Sequence, residues 1–225
     1  MRVAMLTLGL CLLAGCASDA LRMDVPADLA LHGDEIPVAS RLVRTGKSPV
    51  QFGRYRTAAH YGWSLPTTTT SGHRDDLSLG RERMRFGFTL QDAGRDGPQA
   101  RCNASQRFVR IGDTESHVDL AVEANTPVLS CEIGAGNLDL WQRDGSIGGE
   151  LVSPGKTPMV IRADTTAPGI AWVGGNPFGY VFSADGRDLM AVDLSKPGRV
   201  WLDRSLDDAT RASLAAAAAA LLMTQ

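Results

Sequence analysis

The chain has 225 residues, 44% of them apolar and 6% aromatic, with 23 Lys and Arg against 25 Asp and Glu for a formal charge of −2. No Lys/Arg cluster supplies the electrostatic footprint of a nucleic-acid surface or of a polybasic membrane patch, so those two partner classes recede. The length suits one folded unit, because a chain of this size buries about 70% of its unfolded surface.

Met1-Arg2 gives a short positive start, residues 3–13 are apolar apart from Thr7 and Gly9, and Leu13-Ala14-Gly15-Cys16 follows at once. The apolar run is about half the ~20 residues that span a bilayer, and it ends in small residues, which is the order of a secretory signal. Leu13-Ala14-Gly15-Cys16 resembles the lipobox of bacterial lipoproteins. The resemblance implies that the Cys16 sulfur carries a diacylglyceryl group, that the leader is cut before Cys16, and that the new amino group is acylated. Two or three acyl chains anchor stably where one does not. Ala17, where Asp would favour inner-membrane retention, implies the periplasmic face of the outer membrane. Cleavage removes Cys11 and Arg2 and leaves 22 cationic residues against 25 acidic ones. The expected organisation is a signal peptide at 1–15, a lipidated N-terminus and flexible tether at 16–48, and one β-rich domain at 49–225.

In the mature chain Cys102 and Cys131 remain, 29 residues apart. An oxidising periplasm makes a disulfide the default for such a pair, with a stabilisation of roughly 3 to 4 kcal/mol in the chain-entropy model. Neither a CxxC spacing nor a nearby His supports a metal or redox role.

The tether assignment rests on the lack of sustained periodicity and on Pro26, Gly33, Pro37 and Gly46. Beyond it, residues alternate with period 2. Met84, Phe86, Phe88 and Leu90 share one face of a half-buried strand while Arg83, Arg85, Thr89 and Gln91 share the other, and Val118 to Ala124 repeat the pattern. Further strands are expected near 50–56, 100–110, 128–133, 158–163, 170–173 and 199–203. Asp144-Gly145, Asp185-Gly186 and Asp96-Gly97 mark candidate hairpins. About a dozen short strands predict an antiparallel barrel or sandwich.

Near the C-terminus, Ser205 is a candidate N-cap with acids in the first turn behind it, and residues 214–223 then run without a charge, six of them consecutive alanines. Ten residues cannot span a bilayer, so a helix apolar all round must be buried in the barrel or on a sheet. Many short strands, Asp-Gly hairpins and a small-residue hydrophobic helix at the end resemble the Tubby C-terminal and scramblase-type fold, which implies a barrel closed around its last helix. Tubby domains bind phosphoinositides through basic residues, and this chain has no matching cluster.

Candidate chemistry is sparse. Pro154-Gly155-Lys156-Thr157 ends like a phosphate-binding loop, but Glu150 stands where that motif needs Gly. Ser153 and Lys156 match S-x-x-K without its companion motifs, and a turn between strands is the expectation there. His117 with Asp119 and Glu123, and His73 with Asp75 and Asp76, are read as solvated faces for want of a third ligand. Thr67 to Thr70 read as a polar loop. The most suggestive stretch is 172–180, where Gly and Asn-Pro force a loop and Trp172, Asn176, Phe178 and Tyr180 could meet a glycan or a protein. No catalytic residue, metal or cofactor is assigned. The expected partners are the membrane, through the lipid on Cys16, and an envelope protein or glycan. The expected role is non-catalytic binding or structure, with a barrel carrier of a lipid or hydrophobic ligand as the alternative and a periplasmic hydrolase behind it.

Overall fold

The protein, seen here as a computed structural model, is described over residues 22–40, 49–62, 64, 67–74, 77–112, 117–121, 127–143, 146–165, 177–195 and 197–224. A short helix, α1 (Ala27–His32), leads into β1 (Gly33–Ser40), β2 (Gln51–Phe52), β3 (Tyr55–Tyr61), β4 (Thr67–Arg74) and β5 (Leu77–Asp92). These are followed by β6 (Arg95–Gly112), β7 (His117–Ala121), β8 (Pro127–Ile133), β9 (Gly136–Arg143) and β10 (Ser146–Val152). β11 (Met159–Asp164), β12 (Gly179–Ala184), β13 (Arg187–Asp193), β14 (Arg199–Asp203) and the helix α2 (Asp208–Met223) complete the chain.

Every strand pair is antiparallel, and the order β5-β3-β2-β1-β14-β13-β12-β11-β10-β9-β8-β6 returns to its start because β5 also pairs with β6. Twelve strands thus close into a barrel, which decides between barrel and sandwich. The alternation seen in the sequence supplies the inner wall. Phe86, Phe88 and Leu90 are buried to 2% exposure or less, while Arg83 and Arg85 on the other face are exposed.

The last helix occupies the lumen. Residues 214–223 are all at most 2% exposed, and α2 approaches β5, β6 and β8 on one wall and β13 on the other. On the ring β6 and β13 stand opposite each other, so a helix close to both runs between them. An eight-stranded barrel is filled by its own side chains, whereas twelve strands leave a wider interior. A helix about 10 Å across fills that space if its side chains are small, which is what Ala215–Ala220 provide. The cap is Asp207 rather than Ser205: its Oδ1 accepts the Thr210 N–H at 2.9 Å and its Oδ2 accepts the Thr210 hydroxyl at 2.7 Å.

Antiparallel order makes the two barrel ends unlike. One, the turn end, is closed by short connections at 53–54, 93–94, 134–135, 153–158, 185–186 and 204–207. The other, the loop end, is where β1, β3, β9, β11 and β13 finish and β2, β8, β10, β12 and β14 begin. At the loop end β5 and β6 also outrun the barrel. β5 pairs with β3 through residues 87–92 but with β4 through 77–83, and β6 pairs with β8 through 100–104 but with β7 through 108–112. A four-stranded sheet, β4-β5-β6-β7, therefore extends the wall. Just below the point where β6 changes partner, Cys102 and Cys131 face each other directly across the ladder and form the disulfide, with Cα atoms 4.1 Å apart.

Several expectations are corrected. The segment 16–48 is not all tether, because Ala27–His32 is helical and Gly33–Ser40 is a barrel strand paired to β14 on one side and β2 on the other. Pro37 and Gly33 look like breakers, but a single Pro is accommodated opposite Arg199 while Ile36 and Val38 turn to the core. Thr67 to Thr70 belong to strand β4, in keeping with the β preference of a β-branched side chain. The β5–β6 hairpin turns at Ala93-Gly94, both at positive φ, and Asp96-Gly97 lies inside β6. Asp185-Gly186 is a hairpin turn with φ of 52° and 76°. β9 and β10 pair with only Asp144 and Gly145 between them. The strand expected at 170–173 lies outside the described residues.

Candidate functional site

Of the loop at 172–180, Trp172 and Asn176 lie outside the described residues, as does Cys16, and the other two aromatics part company. Tyr180 is 5% exposed, belongs to the main core, and has its hydroxyl pushed far above the ordinary tyrosine range by burial. It is a core residue, not a binding one, because its place in β12 turns it to the lumen. Phe178 is half-buried against a second, smaller apolar cluster on the outside of the barrel, made by Met23, Leu29, Val181, Ala191 and Trp201.

That outer cluster is the feature sequence reasoning missed. Met23 and Leu29 come from the segment assigned to the tether, and they lie on the outward face of β12, β13 and β14. The segment is pinned at the loop end, where the Asp24 N–H donates to Asp164 Oδ2 at 2.9 Å. The same rim is tied by the Phe178 N–H to the Asp164 carbonyl at 2.9 Å and by the Leu194 N–H to the Phe178 carbonyl at 2.7 Å. The α1 helix then carries the chain to the turn end, where the Arg204 guanidinium donates to the Gly33 carbonyl at 2.9 Å. Between this segment and the wall runs a groove of about 390 Å³, lined by Val25, Pro26, Arg162, Asp164 and Val181 among others. Its one cation is committed elsewhere, as Arg162 donates to Asp188 at 3.1 Å and to Ser183 at 3.2 Å.

The turn end is a field of ion pairs around the start of α2. Asp203, almost fully buried, is driven up by burial. The Ser205 N–H at 2.7 Å, the Ser205 hydroxyl and the Arg187 guanidinium outweigh that and hold the carboxyl below its ordinary value. Asp34 is held down chiefly by Arg204, at 2.9 Å, with burial opposing and Arg211 assisting at 3.3 Å. Asp207 is held far down by the Thr210 N–H, then by the Thr210 hydroxyl and by Lys156 at 3.1 Å. Lys156 is therefore a partner of the helix cap. The Lys156 N–H also closes a turn on the Ser153 carbonyl at 3.1 Å, which is the turn expected there. Around the start of α2 these opposed charges pair Arg187, Arg204, Arg211 and Lys156 with carboxylates.

Among the described residues no group of three or more His, Cys, Asp and Glu is placed to hold a metal ion. His32 Nδ1 and the Asp28 carbonyl are 3.0 Å apart, and His60 Nε2 and the Thr57 hydroxyl are 2.9 Å apart. The side chains of His73 and His117 are outside the described residues. No family model, no curated protein and no solved structure matches the chain.

Proposed function

We propose that the protein is a lipid-anchored barrel on the periplasmic face of the outer membrane, with a non-catalytic role in which the outside of the barrel wall presents a surface to an envelope protein or glycan. The observation that carries this reading over a carrier is the filled lumen. The space that a small closed barrel would give to a hydrophobic ligand holds residues 214–223 instead, each at most 2% exposed. A carrier would have to expel a helix whose apolar surface has no other shelter. Membrane attachment is supported by the lipobox pattern ending at Cys16 and by the Cys102–Cys131 bond, which suits an oxidising compartment.

The test is acylation and fractionation of the wild type and of Cys16→Ser. Labelled palmitate is expected in the wild type, which sediments with the outer membrane. The variant is expected to take up none and to be released with an unchanged far-UV spectrum. A Cys16→Ser protein still fractionating with the outer membrane overturns the reading.

A further inference from the structure

A lipid on Cys16 would limit how the barrel can stand. Five residues lie between Cys16 and Arg22, the first residue described on the wall, and the six Cα–Cα steps span at most about 20 Å in any conformation. Arg22 precedes Met23 and Asp24, which are held at the loop-end rim by Gly179 of β12 and Asp164 of β11. We infer that the barrel stands on the bilayer with its loop end toward the lipid and the β4–β7 sheet against the lipid surface, an inference that rests on the anchored reading above.

Three lengths decide it. Turned over, the chain would run back along β12, about 17 Å at the rise of a strand, and the anchor would be used up before a diacylglyceryl group reached the acyl region. Standing on the loop end uses none of that length. The extension supplies the second support. From Leu77 to Arg83, where β5 is paired to β4 beyond the barrel, the strand runs about 20 Å, the same distance the anchor can bridge. At the tilt of barrel strands that run projects about 15 Å along the axis, so an anchor short of full extension brings the sheet to the lipid. On the ring the two features face each other: the chain enters over β11 and β12, and the sheet grows from β5 and β6 on the opposite side. The mouth with the C-terminus of α2 lies between them, and the ion-paired turn end points away from the membrane, free for partners.

The measurement is quenching by a headgroup-attached quencher in phosphatidylethanolamine–phosphatidylglycerol vesicles carrying the full lipidated protein. Single fluorophores go on Pro197→Cys at the loop end, Thr69→Cys in β4 and Pro154→Cys at the turn end. Cys102 and Cys131 are bonded to each other and Cys16 is blocked by lipid, so each label is unique. Quenching several-fold stronger at positions 197 and 69 than at 154 is expected. Equal quenching at all three, as for a barrel lying on its side, overturns the inference, and so does stronger quenching at 154. The two layers separate by mass: an acylated protein with equal quenching overturns the orientation alone, whereas an unacylated N-terminus overturns the anchor and takes the orientation with it.

Discussion

A Cβ on Gly179 would fall 2.4 Å from the Met23 sulfur and 2.4 Å from the Val192 carbonyl oxygen. The first residue of β12 must therefore be glycine both for the β13 backbone to pass beside it and for the N-terminal segment to lie on the wall. Gly179→Val is expected to cost about 1 to 3 kcal/mol, the range for forced overpacking, and to free the Asp24 N–H from Asp164. Hydrogen exchange reads both, since protection at Asp24 and Ala30 should vanish and that at the loop end of β12 and β13 should fall, while the strands away from them stay protected. Retained protection at Asp24 would show that the neighbour shifts instead. Asp207 makes a pH statement at the same scale. Its folded pKa is depressed, so its contribution is present above the ordinary aspartate value of 3.8 and is lost as pH falls below it. Asp34 and Asp203 are shifted the same way, so acid loosens the turn end. The thermal midpoint is expected to drop more steeply between about pH 4 and pH 2 in the wild type than in Asp207→Asn, which keeps a cap but does not titrate. Parallel curves would remove Asp207 from the account.

Among the elements, α2 is the one whose residues have least freedom. Ala215–Ala220 are all fully buried, each facing some part of the ring, so no face of the helix can accept a larger side chain. Ala217→Leu is expected to destabilise by about 1 to 3 kcal/mol in chemical denaturation, although Leu is nearly as good a helix former as Ala. No loss would mean that the lumen has spare room there. The need for burial was legible in an uncharged run of ten residues, and so were β5, β6, β8, β11 and β14, because strict alternation or a compact apolar run survives any tertiary context. Other elements were not. β1 is disguised by Pro37, the β2–β3 bend falls within a single apparent run at 50–56, and the β5–β6 turn uses Ala93 at φ 50°, a residue type that gives no turn signal. The candidate site was legible only where a motif exists. The Cys102–Cys131 bond and the Asp185-Gly186 turn could be read, whereas the outer cluster joins Met23 and Leu29 to Val181 and Trp201 across more than 150 residues, and no local pattern encodes such a meeting.

At the scale of the molecule, wall and filling determine each other. A twelve-stranded ring without α2 would enclose an apolar lumen too wide for its own side chains to close, and α2 outside the ring would be an apolar cylinder in water. Each is stable only with the other, which ties the sixteen residues of α2 to strands beginning at Gly33. The same coupling makes the interior a test of the whole reading. A form secreted without lipid from Ala17 onward, measured intact under native conditions, is expected to show the bare chain lighter than its reduced mass by two hydrogens, for the Cys102–Cys131 bond. A lipid or detergent adduct lost only on denaturation would mean that α2 yields the lumen to a ligand. That outcome would favour the carrier, and Ala217→Leu would then be expected to weaken the adduct along with the fold. A bare mass leaves the helix as the only occupant and moves the search for function to the outside of the wall.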